Sequence, residues 1–351
     1  MTRNDPTCIE CRHWGTLPGG EPVTHIMLSR PGGLSVGIST LGATITGLWA
    51  SGRDGAAANI VLGFDDLAGY LAPQYRAAYP YFGSTIGRVA NRIRGAAFDI
   101  DGTAYSLCVN DGKHHLHGGY GFDQAIWAHR IDGERLHLEL VSPDGDQGYP
   151  GTLHVEAIFS LPADNELAVR YEARTDRATH VNLTTHSYFN LAGRDAPGIV
   201  DHRLQVHADA YTPIDADALP TGEIAPVDDT PFDLRQPQRI GTVIDAPHAQ
   251  LAVGGGYNHN FVLNDAAGML RPAARLHDPA SGRIMDLATT APGLQVYSGN
   301  FLAEPVALRR QAIALEPQHF PNTANIAAFP TTLLRPGDLY VSETRFRFST
   351  D

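Results

Sequence analysis

The sequence predicts an all-β fold, two packed sheets in one large domain, on three observations. Turn-forming residues run along the whole chain, with 36 glycines and 24 prolines in 351 residues; many short strands joined by turns need this spread. Stretches in which apolar and polar residues alternate, the period of a half-buried strand, recur from one end to the other. Amphipathic helical spacing is nearly missing: only a short stretch such as 65–71 suits a helix.

Taken in order, residues 1–13 are mixed polar, lack the apolar stretch of a secretory signal, and are expected to form a flexible leader before a domain spanning 14–351. Cys8 and Cys11 make a lone C-x-x-C. A zinc site of that kind needs two further ligands at similar spacing, and no second pair follows, so the thiols are expected to be incidental. With Cys108 the count is three, which argues against a disulfide framework and for a reducing compartment. Residues 96–100 and 103–107 flank Asp101-Gly102, and Asp-Gly between two such runs predicts a hairpin, because both central positions of a type I′ turn want positive φ. Asp132-Gly133 precedes a clean alternation over 136–140. The runs 153–161 and 166–171 flank Pro162-Ala163-Asp164-Asn165, another hairpin signal. Phe346 and Phe348 alternate with Arg345 and Arg347 near the C-terminus.

The chain is 43% hydrophobic and 18% charged, as a soluble domain with a sizeable core should be. Its net charge of −12, with Lys and Arg dispersed, excludes the basic footprint of nucleic-acid binding. No apolar run reaches bilayer length, so no membrane partner is expected and the cytoplasm is the expected location.

Four segments place His, Asn, Arg and Glu among apolar and aromatic neighbours: 87–93 (GRVANRI), 114–119 (HHLHGG), 182–191 (NLTTHSYFNL) and 315–322 (LEPQHFPN). Each has a plain reading. Arg92 suits an ordinary surface arginine. The histidines at 114–117 suit a polar loop or part of a metal site, since His115 and His117 on a strand would face one side, although no third acidic or thiol ligand lies close in sequence. His186 suits a hydrogen-bonded core histidine. Glu316 ends a strand-like apolar run, where a carboxylate is costly unless paired or used. Together they suggest a site for a carbohydrate or another polar ligand.

At these segments the chain resembles the aldose 1-epimerases (galactose mutarotases). The blocks GRVANRI, LHGG, NLTTHSYFNLAG and LEPQHFPN stand in that family's order, together with 210–215, 220–224, 230–233 and 295–300. The resemblance runs from about residue 15 to 348 and implies a β-supersandwich, in agreement with the all-β reading. It implies Glu316 as general base, His186 as general acid and His117 as a second active-site histidine supporting the ring oxygen and the transition state. Asn91, Arg92 and Gln295 are implied as sugar-binding residues. Tyr188, two after His186, would face the same side in a strand. The chemistry is anomer exchange: the C1 hydroxyl loses a proton, the ring oxygen gains one, the ring opens, C1–C2 rotates and the ring recloses. No metal or other cofactor is required. The expected partner is a monosaccharide, handled by a monomer or homodimer in hexose metabolism. A carboxylate ionised at neutral pH suits the base, and an imidazolium near its ordinary pKa suits the acid.

One position departs from the family's pattern. Its G-[YF]-D-H-N-F block reads Gly256-Tyr257-Asn258-His259-Asn260-Phe261 here, with an amide where a sugar-binding carboxylate is usual. If Asn258 faces Arg92, the site gains a positive charge, and an altered sugar preference is expected; weaker binding with the same role is the plainer reading. Three alternatives compete. A non-catalytic sugar-binding module on the same fold would not need acid and base together. An epimerase of hexose 6-phosphates would need a basic cluster. A glycoside hydrolase would usually need two carboxylates.

Overall fold

A computed structural model describes residues 6–351. The described chain is mostly β with a few short helices, and most of its strands pair antiparallel in three large sheets, the rest in two-stranded ones. A five-stranded meander runs Cys8–Thr16, Pro22–Ser29, Ser35–Ser39, Thr44–Ser51 and Ala57–Asn59. A nine-stranded sheet is ordered Ala128–Asp132, Arg135–Ser142, Leu153–Ala163, Glu166–Thr175, Tyr340–Thr350, Arg283–Thr289, Arg271–His277, Arg203–Val206 and Gln238–Arg239. A six-stranded sheet is ordered Tyr188–Phe189, Ile313–Gln318, Gly293–Tyr297, Asn258–Leu263, Ala208–Thr212 and Ala225–Pro226. The ladders are therefore more broken than two continuous sheets would be. Register shifts at His13/Gly15, Gly37/Ile38 and Pro272/Ala274 explain part of this, since a bulge bends a strand and disrupts its ladder.

One apolar cluster joins all three sheets, with Ile26, Leu28 and Ile38 from the first, Leu138, Phe159 and Phe346 from the second, and Leu294, Val296 and Ile313 from the third. The predicted hairpins form. Ala97–Ile100 pairs with Thr103–Ser106 across Asp101 (φ 53) and Gly102 (φ 83), the two positive φ values a type I′ turn requires. Leu153–Ala163 pairs with Glu166–Thr175. Phe346 and Phe348 are buried while Arg347 is exposed. The helix expected within 65–71 forms at Leu67–Leu71, capped by the Asp66 carboxylate accepting from the Gly69 N–H at 2.9 Å, and three further short α-helices are present among the described residues, Pro73–Ala78, Ile240–Val243 and Ala249–Gly254.

The leader expectation is corrected in part. Residues 8–13 belong to Cys8–Thr16, paired with Pro22–Ser29; an exposed polar strand at a sheet edge reads from sequence like an unstructured lead-in. Residues 1–5 lie outside the described residues. Cys8 and Cys11 are free, exposed thiols three positions apart on a strand, so their side chains point to opposite faces.

The six-stranded sheet positions the site. Registers set Asn258 opposite Tyr297, Asn260 opposite Gln295, and Gln295 opposite Glu316. With side chains alternating, Asn258, Asn260, Gln295, Tyr297, Glu316 and Gln318 share one face. Phe261, Leu294, Val296, Ile313 and Leu315 occupy the other, in the core.

Candidate active site

A cavity of about 310 Å³ opens over that polar face. Tyr297, Gln295, Glu316 and Asn258 line it from the sheet, and Tyr188 comes from the edge strand. Arg92 comes from the two-residue strand Arg92–Ile93, and loops bring Tyr79, Tyr81, Asn91, Asp111, His117 and His186. Every site residue read from the sequence, namely Glu316, His186, His117, Asn91, Arg92, Tyr188, Asn258 and Gln295, thus lines one cavity.

Glu316 is 2% exposed, His186 4% and His117 7%. Glu316 Oε2 lies 3.7 Å from His186 Nε2, beyond direct hydrogen-bonding reach. Both Glu316 Oε2 and His186 Nδ1 are buried without a partner among the described residues. Burial pushes the Glu316 carboxyl up to about 8, against a lowering by Arg92. Burial pushes His186 down to about 4. This reverses the premise that Glu316 is ionised and His186 an imidazolium at neutral pH. The buried, low-dielectric surroundings disfavour both charges, so the pair's one proton rests on the carboxyl.

Tyr81 lies parallel to His186, centroids 5.9 Å apart at 24°, and touches His117 at 4.8 Å. Tyr188 packs on His186 at 4.9 Å, which agrees with the same-side expectation. The Asn91 N–H donates to His117 Nδ1 at 3.2 Å. A neutral His117 therefore carries its proton on Nε2, and burial, then the neighbouring His186 and Arg92, hold its pKa well below the ordinary value. Potential ligand atoms of His117, His186 and Glu316 lie within 4.8 Å of one another. The His117 tautomer argues against a metal there: Nδ1 is accepting and Nε2 is protonated, so neither nitrogen has a lone pair to give. His115 does not join His117. It is fully buried, bonded to the Cys108 carbonyl at 2.7 Å and to the Tyr149 hydroxyl at 2.9 Å, because the two-residue strand His115–Leu116 ends before His117, where φ is 54°.

The conditional extra charge does not arise. Asn258 accepts from Gln295 Nε2 at 3.0 Å, and Arg92 Nε donates to Asp111 Oδ2 at 2.7 Å. Sequence reasoning passed over Asp111 and Tyr81. Asp111 sits in a turn beside the LHGG block, and Tyr81 in the aromatic run Tyr79-Pro80-Tyr81-Phe82. That run breaks strand alternation and was the available signal.

An aldose 1-epimerase family model matches residues 24–347. The chain belongs to the aldose 1-epimerase family. Among curated relatives, galactose mutarotase of Rattus norvegicus is 42% identical over 344 residues, covering 96% of this chain and 97% of the relative. Aldose 1-epimerase of Escherichia coli is 35% identical over 94% and 96%. Among solved structures, galactose 1-epimerase from Lactobacillus acidophilus superposes with a TM-score of 0.85 at 28% identity, covering 98% and 99%. The chain is accordingly an enzyme of the isomerase class, an aldose 1-epimerase with the family's β-supersandwich architecture. Among the described residues, no helix is long and apolar enough to cross a membrane.

Proposed function

We propose that this epimerase interconverts the α and β anomers of a free monosaccharide by passing one proton each way between the sugar and the Glu316–His186 pair. The observation that carries this is the placement of two buried titratable groups, each with an atom unpartnered among the described residues, 3.7 Å apart in the wall of one polar cavity. The ring form reacts when Glu316 is ionised and His186 protonated. Glu316 takes the C1 hydroxyl proton, the C1–O5 bond breaks as C1 becomes a carbonyl, and O5 receives the His186 proton. The open chain is then left with a protonated Glu316 and a neutral His186, the distribution that burial favours. C1–C2 rotation and the reverse transfers yield the other anomer. The two tautomers of the pair hold the same single proton, so each serves one end of the reaction.

His117, neutral with its proton on Nε2, supplies a hydrogen bond to the ring oxygen as charge develops there. Asn91, Arg92, Asn258, Gln295 and Tyr188 hold the sugar. Gln295 Oε1, buried without a partner among the described residues, offers an acceptor to a hydroxyl. The same reading has the enzyme cytoplasmic, as a monomer or homodimer. Polarimetric mutarotation of galactose, glucose, xylose, arabinose and fucose tests it: the wild type should accelerate at least one of these, and Glu316→Gln and His186→Asn should remove most of that acceleration. Near-wild-type rates in both variants on a good substrate would sink the assignment.

A further inference from the structure

Among the described residues the Arg92 guanidinium makes one hydrogen bond, from Nε to Asp111 Oδ2 at 2.7 Å, and its terminal nitrogens are free of protein partners. The Asp111 side chain is 33% exposed, that of Arg92 19%, and both line the sugar cavity. Asp111 Oδ1 likewise has no protein partner among the described residues. The pair therefore presents two guanidinium donors next to one carboxylate acceptor. Two neighbouring hydroxyls on a pyranose need that combination: one accepts from an Arg Nη while the other donates to the carboxylate.

The turn carrying Asp111 is built to hold it still. The His114 N–H donates to the Asp111 carbonyl at 2.8 Å, with Gly112 at φ 59° in between. Asn110 ties the same turn to the strand His115–Leu116, through its Nδ2 to the Leu116 carbonyl at 2.9 Å and from the Leu116 N–H to its Oδ1 at 2.7 Å. Lys113 and His114 both meet Asp217, at 2.9 Å and 3.4 Å. On the sheet side of the cavity, Asn258 is an amide whose oxygen is already taken by Gln295, and Glu316 is reserved for C1. Asp111 is thus the remaining carboxylate in the cavity wall, fixed before substrate arrives.

We infer that Asp111 is a specificity-determining residue of this epimerase, which with Arg92 clamps a vicinal diol of the sugar away from the anomeric carbon. The inference rests on the proposed anomer exchange for its ligand class but concerns binding alone. It is tested by calorimetry in a Glu316→Gln background, where binding is read without turnover, and by KM in the otherwise wild-type enzyme. The probes are glucose and its 2-, 3- and 4-deoxy analogues. Adding Asp111→Asn should weaken glucose binding about 10- to 100-fold, the range of a charge-assisted hydrogen bond. For one deoxy analogue it should cause little additional loss, because the hydroxyl that needed the carboxylate is already gone. In the otherwise wild-type enzyme KM should rise more than kcat falls. Asn258→Asp in the Asp111→Asn protein should recover part of the affinity with a changed order of sugars, since it returns a carboxylate to the cavity at a different position. The inference is overturned if Asp111→Asn leaves glucose affinity within twofold. It is equally overturned if all four sugars lose affinity by the same factor alongside a lowered thermal midpoint, the signature of a purely structural turn residue. If wild-type protein binds sugar but does not accelerate mutarotation, the anomer-exchange reading fails while the clamp stands.

Discussion

The nine-stranded and six-stranded sheets carry the same period-two pattern and put it to opposite uses. In Leu153–Ala163 of the larger sheet, Leu153, Val155, Ala157, Phe159 and Leu161 are buried, and the residues between them are exposed or half-buried. Its outward polar groups meet water or one another, as Arg275 meets Asp286 at 2.9 Å. In Ile313–Gln318 of the smaller sheet every residue is buried. There the polar face, Glu316 and Gln318 with Gln295 and Asn260 from neighbouring strands, keeps several atoms without partners among the described residues: Glu316 Oε2, Gln295 Oε1, both polar atoms of Gln318 and both of Asn260. A buried unsatisfied group costs about 1–3 kcal/mol. A polar face that is exposed is ordinary surface, whereas the unsatisfied atoms of Glu316 and Gln295, which line the cavity, are held ready for a ligand.

The largest effects should come from the covered face. Glu316→Gln and His186→Asn should each lower kcat about 10²- to 10⁴-fold, the usual contribution of a positioned proton-transfer group, with little change in thermal midpoint at neutral pH for His186→Asn, whose ring is already neutral there. A loss below tenfold in both would erase the distinction between the two sheets.

Not every buried polar group serves the ligand, and Arg88 sharpens the comparison. It lies four residues before Arg92 in the same block, yet it is 2% exposed and spends its guanidinium on Ser142 Oγ (2.9 Å) and the carbonyls of Pro150 (3.0 Å), Ser142 (2.8 Å) and Pro143 (2.8 Å). Arg88→Met should cost about 3–5 kcal/mol in chemical denaturation by stranding those acceptors, while the folded fraction keeps its KM. Arg92→Met should do the reverse, raising KM with little loss of stability.

This pair also marks how far the sequence could be read. The all-β class, the Asp101-Gly102 hairpin and the 153–161/166–171 pairing followed from local turn chemistry and alternation. Glu316 stood out because a carboxylate beside Ala312, Ile313, Ala314 and Leu315 has no cheap explanation. The other site assignments came from the ordered family blocks rather than from periodicity. What stayed hidden depends on contacts between distant segments. Nothing local distinguishes Arg88 from Arg92. The Asp111 clamp needs a turn and a strand brought together by the pairing of His115 with Ile93 and Leu116 with Arg92. The inverted protonation of Glu316 and His186 follows from burial by loops far away in the chain.

That inverted protonation makes a pH prediction. The pair holds its single proton from about pH 4, below which His186 gains a second, to about pH 8, above which Glu316 loses it. kcat/KM should be bell-shaped with limbs near those values. A plateau continuing past pH 10 would contradict it. Stability should follow the same carboxyl. The folded-state value of Glu316 is raised above its ordinary 4.5, so its contribution is fully present below pH 4.5 and is lost as pH rises through 8. Glu316→Gln lacks that loss and should be more stable than wild type above pH 8, by about 3–5 kcal/mol, and equal to it below about pH 4.5.

The smallest effect belongs to the solvated face. Asp286 lies opposite Arg275 on one side and opposite Arg347 on the other, and both members of the Arg275–Asp286 pair are 45% exposed. Water screens such a pair and both side chains lose freedom in making it, so an exposed cross-strand pair is worth about 0.2–1 kcal/mol. Asp286→Ala should therefore shift the denaturation midpoint only slightly. The shift should shrink as salt is raised, because exposed charges are screened over about 10 Å at 0.1 M. Mutarotation kinetics should not change at all. A loss as large as that of Arg88→Met, or any change in KM, would mean that the outward face of the nine-stranded sheet is coupled to the cavity, and the division of labour between the two sheets would fail.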